Sequence, residues 1–200
     1  MIKNKIKEIQ KIPVADSPHN DAFEAIVELY YQVLGYITSS GKWFWVWETG
    51  KKQRGYQDID VLAVDGNELI IVSVTTCLDD KLRCDKLGKL KKEMLTKLCS
   101  YFSRVELFLE HVDKYKWLTK KKIKRVVAYI YSANDISQVY EALKTEKIML
   151  LSAEDMIFSI KKYLVDNDNI KIQNQMLRTI KVLNQKVKKQ SNESLQRTRD

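Results

Sequence analysis

Apolar residues recur along this chain in two rhythms, and the changes between them mark the elements. Isoleucines at 2, 6, 9 and 12 have the spacing of a helical stripe, which Pro13 ends, so a short docking helix is expected over 2–12. Ser17-Pro18 reads as a helix start, with serine as N-cap and proline at the first helical position. Phe23, Ile26, Val27, Tyr30 and Leu34 give that helix a buried stripe as far as Gly35. Trp43, Trp45 and Trp47 alternate along one face of a strand over 43–48, and polar 49–55 forms a loop. An aromatic face of this kind is either covered by a helix or left open to stack on bases.

Residues 58–76 are two β-rich runs around Gly66-Asn67, a hairpin whose turn residues tolerate positive φ. With that pair at the turn, Asp65 faces Glu68, Asp60 faces Ser73 and Asp58 faces Thr75. Period-two alternation puts Asp58, Asp60, Ser73 and Thr75 on one face, continued by Leu62, Val64, Leu69 and Ile71. The hairpin therefore carries a polar cluster at the rim of an apolar sheet. Leu82, Leu87, Leu90, Met94, Leu98, Tyr101, Phe102 and Val105 predict a long helix, or a broken pair, over about 80–111. The apolar strand at 123–132 then completes a crossover and lies parallel to 69–76. A helix at 134–145, a strand at 147–151 and a Ser152-capped helix with Met156, Ile157, Ile160 and Leu164 inward follow.

Composition changes this picture in two ways. The chain has 200 residues, 44% of them hydrophobic, enough for one core with appendages: 1–13 as the docking helix, 14–166 as an α/β domain, 167–190 as a basic amphipathic helix and 191–200 as a disordered tail. No apolar run approaches a membrane span and no leader is legible, so no membrane partner and a cytoplasmic location are expected. Cys77, Cys84 and Cys99 lack metal-ligand pairing and read as reduced thiols. The formal net charge of +9 favours a polyanionic partner, either through phosphate contacts or as a plainly solvated surface. Residues 171–200 hold eight Lys or Arg against two acids. Lys51, Lys52, Arg54, Lys91, Lys92, Lys121, Lys122 and Lys124 are the other candidate phosphate contacts. The stripe Met176, Leu177, Ile180, Leu183 and Val187 needs a covering surface, either the body of the chain or a second copy in a homodimer.

At this point three stretches carry a family resemblance over roughly residues 18–160. Ala22-Phe23-Glu24-Ala25, Gln57-Asp58-Ile59-Asp60-Val61 and Leu69-Ile70-Ile71-Val72-Ser73-Val74-Thr75 resemble the motifs of the PD-(D/E)XK nuclease superfamily, and among its members the archaeal Holliday-junction resolvases. The resemblance implies a restriction-endonuclease-like three-layer core, with a mixed sheet of an antiparallel hairpin plus parallel crossover strands between helices. It implies a DNA partner and a Mg²⁺ or Mn²⁺ centre for phosphodiester hydrolysis, with Asp60 as principal ligand. The chain departs from the pattern where Ser73 replaces the family's glutamate and Thr75 its lysine. A hydroxyl is a poor ligand to a hard cation, and threonine carries no charge. Asp58 and Glu24 with the carbonyl of Val74 are candidates to complete the ligand set, and Lys81, Lys86 or Lys89 to replace the lysine. Glu24 has a competing role, since Asp21-x-x-Glu24 fits a capping box. The alternative is a non-catalytic DNA-binding or assembly subunit on the same fold.

Overall fold

The computed structural model describes residues 15–16, 22–47, 53–85, 90–133, 136–167 and 174–182. The chain forms two compact units, Met1–Met156 and Ile157–Asp200. The first contains β1 (Ala15–Asp16), α1 (Ala22–Val33), β2 (Ile37–Trp47), β3 (Gln53–Val64), β4 (Glu68–Cys77), α2 (Leu78–Lys81) and α3 (Lys92–His111). A 3₁₀ turn (Leu118–Lys120), β5 (Lys122–Tyr131), α4 (Ile136–Thr145) and β6 (Ile148–Ser152) follow, and α5 (Ala153–Asp166) begins there.

The strands make one mixed sheet in sequence order. Pairing is antiparallel from β1 to β4 and parallel from β4 through β5 to β6. Five strands are substantial, and β1 is a two-residue pairing at the edge. The α/β class and the crossover agree with the sequence pattern, because two parallel neighbours need a long connection and α2 with α3 supply it.

Side chains leave the sheet on both faces into two cores, which makes three layers. Leu62, Leu69, Ile71 and Val127 pack with Leu98, Phe102 and Val105 of α3. Val61, Ala63, Ile70, Val72 and Val74 pack with Phe23, Val27 and Tyr31 of α1. Each such side chain contributes about 1.5–3 kcal/mol on burial, so β4, enclosed on both sides over Ile70–Val74, is the anchor of the fold.

Several expectations change in detail. Register around the hairpin is as read, Val61 opposite Val72 through Val64 opposite Leu69, but neither Gly66 nor Asn67 has positive φ. Instead the Asp65 carboxylate accepts from the backbone N–H of Asn67 at 2.7 Å and of Glu68 at 2.6 Å, and this side-chain turn sets the reversal. The 80–111 helix is the broken pair, α2 and α3. Leu34 lies beyond α1 and is 52% exposed, while Leu29 and Tyr31 are buried in its place. Trp43, Trp45 and Tyr56 form an edge-to-face cluster, and Tyr56 stays 67% exposed. Ser152 caps α5 as expected, its Oγ accepting from Asp155 N at 3.1 Å, but Ile157 is exposed rather than inward.

In the second unit Ile160, Leu164 and Leu177 are buried, Leu177 lying in a helix over 175–182. The expectations for 2–12, Ser17-Pro18, Asp21, Leu183, Val187 and 191–200 fall outside the described residues. No helix among the described residues is long and apolar enough to cross a membrane.

Candidate functional site

The site is built where the central hairpin comes apart. Pairing between β3 and β4 stops at Val61–Val72. Beyond it β3 stays paired to β2 as far as Gln53, while β4 stays paired to β5 as far as Cys77. The two strands diverge into a fork, and a fork strands backbone donors that the ladder would have satisfied. Side chains satisfy them here. Val74 N donates to Asp60 Oδ2 at 2.6 Å, and Asp60 N donates to Tyr101 Oη at 3.3 Å. Asp60 and Tyr101 therefore hold the fork open.

Two further groups close around the Asp60 carboxylate. Ser73 Oγ donates to Asp60 Oδ2 at 3.3 Å. Lys81 Nζ donates to Ser73 Oγ at 2.6 Å and to Asp60 Oδ2 at 3.3 Å, and it stands 5.8 Å from the centre of the Tyr101 ring. The Lys81 side chain keeps 33% of its surface in solvent against 14% for Asp60, so of the pair Lys81 is the more open to solvent.

Local structure explains how Lys81 arrives. Thr75 Oγ1 donates to Cys77 O at 2.8 Å, bracing the turn from β4 into α2. Asp79 on α2 accepts from Ala133 N at 2.7 Å and from Ser132 Oγ at 3.4 Å, which ties α2 to the end of β5. Thus Thr75 supports the short helix that delivers a lysine from six residues on.

One geometric expectation is corrected. Asp58 does not share a sheet face with Leu62, because alternation breaks between Ile59 and Val61. Leu62 lies on the α3 side and Val61 on the α1 side, yet Ile59 joins the α3 side with Phe44. Asp58 pairs with Trp43 and so emerges opposite Ile59, towards the α1 side. The cause sits on β2, where Gly41, the residue facing Asp60, takes a φ of 63°, a left-handed backbone that breaks the pleat. Asp58 nonetheless feels its neighbour: withdrawal from solvent, then repulsion by Asp60, push its carboxyl above the ordinary value. Burial pushes the Tyr101 hydroxyl well up, and Asp60, Asp58 and Glu24 add to the shift, so all three acids lie within electrostatic reach of that hydroxyl.

The donor set does not fit a hard divalent cation. Mg²⁺ requires several oxygen ligands in near-octahedral array, whereas Asp60 Oδ2 already accepts from a backbone amide, a hydroxyl and an ammonium. Among the described residues no three His, Cys, Asp or Glu side chains gather closely enough to hold a metal ion. Glu24, Asp58 and Asp60 are thus neighbours in field without forming a ligand cage. A serine–lysine nucleophile is excluded as well. Ser73 is 1% exposed, out of reach of a substrate.

The other predicted residues are scattered. Lys91 and Lys92 are exposed at the start of α3. Lys121, Lys122 and Lys124 gather at the hairpin turn, six residues along β4 from Val74 and so roughly 20 Å from the fork. There Lys124 pairs with Glu68 at 2.6 Å, Lys122 with Glu68 at 3.9 Å, and Lys121 donates to Gly66 O at 2.7 Å. Lys51, Lys52, Lys86, Lys89 and the Arg54 side chain lie outside the described residues. Sequence reasoning missed Tyr101, Gln57 and Arg104. Gln57 Nε2 donates to Tyr101 O at 3.2 Å and Arg104 donates to Gln57 Oε1 at 3.3 Å, fastening α3 to the β3 arm of the fork. Comparison of the chain with protein-family models, with curated proteins and with solved structures finds no match in any of the three.

Proposed function

We propose that the protein binds the phosphate backbone of DNA on a core of the PD-(D/E)XK kind, with a lysine clasp in place of the metal centre. The observation that carries this reading is the Lys81 ammonium seated on Asp60 and Ser73 at the strand fork. The fork between a hairpin and a parallel crossover supports the restriction-endonuclease-like assignment, since the family's two acidic ligands belong at the places Asp60 and Ser73 take. Replacing the second acid by serine removes a ligand, and Lys81 brings one positive charge to the fork, shared with Asp60. Phosphate contacts of this kind position a duplex or single strand without reading its sequence. The net charge of +9 favours the same partner.

The test is fluorescence anisotropy and gel analysis with single-stranded, duplex and branched DNA, in Mg²⁺, Mn²⁺ or EDTA. Binding of equal strength in all three conditions, with intact DNA throughout, is expected. Lys81→Ala should weaken binding and lower the salt slope by about 1, as for loss of one phosphate contact. Cleavage in Mg²⁺ or Mn²⁺ that Asp60→Ala abolishes would overturn the clasp reading in favour of a metal-dependent nuclease. Absence of DNA binding at low salt would overturn both.

A further inference from the structure

Trp43, Trp45 and Tyr56 make an aromatic surface that neither core takes in. Antiparallel pairing sets Trp43 opposite Asp58 and Trp45 opposite Tyr56, so these four side chains leave the same face of the sheet. Phe44, between the two tryptophans, points the other way and stacks on Phe108. Ring centres are 5.4 Å apart for Trp43 and Trp45, 6.1 Å for Trp43 and Tyr56, and 6.3 Å for Trp45 and Tyr56, with planes crossing at 87°, 69° and 87°. Three planes set so near to right angles leave at least one ring turning its π face towards solvent. Tyr56 and Asp58 are both exposed, and the two tryptophans are half-buried. Among the described residues no lysine or arginine stands over these rings, and no hydrogen bond or ion pair reaches the Asp58 carboxylate.

The charge on this face decides what fits it. A neutral apolar surface would bury Asp58 without a partner, which is costly. A nucleic-acid strand could stack bases on the rings but would bring phosphates onto a carboxylate that Asp60 already repels. A cation meets both needs, since the quadrupole of a ring face attracts it and the carboxylate neutralises it. Directly opposed residues of an antiparallel pair have Cβ atoms about 4.5–5.5 Å apart, so one planar group can touch both the Trp43 ring and Asp58. Guanidinium is planar, weakly hydrated, stacks on aromatic faces and offers a carboxylate two parallel N–H donors, whereas an ammonium is a compact and strongly hydrated point charge. We infer that this face docks an arginine side chain of a partner polypeptide, with the guanidinium laid against the Trp43, Trp45 and Tyr56 rings and paired with Asp58. Tryptophan, tyrosine and arginine are the residues that protein interfaces concentrate, and a single guanidinium on an open surface is worth too little to hold a free amino acid. The site is independent of the DNA reading, since it uses none of Asp60, Ser73 or Lys81.

Proton–nitrogen correlation NMR of the full chain tests the assignment, with the indole N–H signals identified through Trp43→Phe and Trp45→Phe. The probes are an acetylated, amidated octapeptide of alternating glycine and arginine, its lysine counterpart of equal charge, tetramethylammonium chloride and an octathymidylate. Saturable shifts of the Trp43 and Trp45 indole signals, with that of Trp117 unmoved, are expected from the arginine peptide, and weaker binding from the lysine peptide. Asp58→Asn should weaken the arginine peptide about fivefold, the upper range for one exposed ion pair. Tyr56→Leu, which keeps apolar bulk and removes a π face, should weaken it about threefold, as for one exposed cation–π contact. Asp58 and Tyr56 are both exposed, so neither change opens a core. Equal affinity for the two peptides would overturn the guanidinium assignment. Matching shifts from tetramethylammonium would overturn it in favour of a small cation, and shifts from octathymidylate undiminished by Asp58→Asn in favour of nucleic-acid bases. No saturable shift, or arginine-peptide binding unchanged in both variants, would overturn the site itself.

Discussion

Asp58 and Asp60 stand two residues apart on β3, and their charges resist each other through a region where water is thinned. The carboxyl of Asp58 is pushed above its ordinary 3.8, first by loss of solvent and then by Asp60. Asp60, by contrast, accepts from Val74 N, Ser73 and Lys81. A carboxyl whose folded value lies above its unfolded one holds its proton more tightly in the folded state. Its contribution to stability is complete below about pH 3.8 and is lost as pH rises through the raised value, so at neutral pH ionised Asp58 is a net burden. Asp58→Asn should therefore stabilise the protein at pH 7. The side chain is mostly exposed and screened, which limits the gain to about 0.5 kcal/mol, or ~1–2 °C in Tm for a chain of this size. Thermal melts of both proteins from pH 7 down to pH 3.5 should show the difference shrinking to zero. A variant less stable than the parent at pH 7 would mean that the Asp58 charge is held by a cationic partner.

Among the elements, α2 does most for the site despite its four residues. It has no side-chain N-cap hydrogen bond, so its placement depends on what it is fastened to, and Asp79 is the fastening to Ser132 and Ala133. Asp79→Ala should cost about 0.5–1.5 kcal/mol, the net worth of a hydrogen bond, since the exposed Ala133 amide is taken up by water. Hydrogen exchange should quicken at Leu82 N, which donates to Leu78 O at 2.8 Å, and leave the middle of α3 unchanged; unaltered exchange at Leu82 would show that α2 is held by other means. The same elements show what was legible beforehand. The register of β3 against β4 follows from the turn, since two turn residues at Gly66-Asn67 set Asp65 opposite Glu68 and, with it, Val64 opposite Leu69 through Val61 opposite Val72. The parallel placement of β5 follows from its unbroken apolar run. The side of β3 on which Asp58 emerges was not legible, because the reversal originates in the φ of Gly41, on another strand and far away in sequence. Nor was the turn at Asp65, where a side-chain acceptor did what the positive φ of Gly66 and Asn67 was expected to do. Tyr101 was legible only as a member of the α3 stripe, because its hydroxyl acquires a partner when the fork exposes the Asp60 amide. Lys81 was one of three equal candidates along the sequence; the short α2 brings it to Asp60, while Lys86 and Lys89 lie outside the described residues.

On the scale of the whole molecule, the surplus of positive charge is unevenly available. At the hairpin turn Lys122 and Lys124 share Glu68, and on α3 Glu106 accepts from Arg125 at 2.6 and 3.0 Å, so those cations are partly neutralised where they stand. By contrast, residues 183–200 hold five Lys or Arg against two acids. Counterion release makes this difference measurable, since each phosphate neutralised on duplex DNA contributes about 0.9 to the slope of log affinity against log salt. If the C-terminal charges are phosphate contacts, removing 183–200 should lower the slope by up to about 4 and weaken binding most at low salt. The loss should be the same for every sequence, because such contacts position without reading bases. Anisotropy titrations of the full chain and the truncated chain between about 50 and 200 mM salt decide it, with melting curves to confirm that the first unit is intact. An unchanged slope would place the contacts on the first unit instead, at Lys81 and the exposed Lys91 and Lys92, and the Lys81→Ala variant would then carry a larger share of the salt dependence.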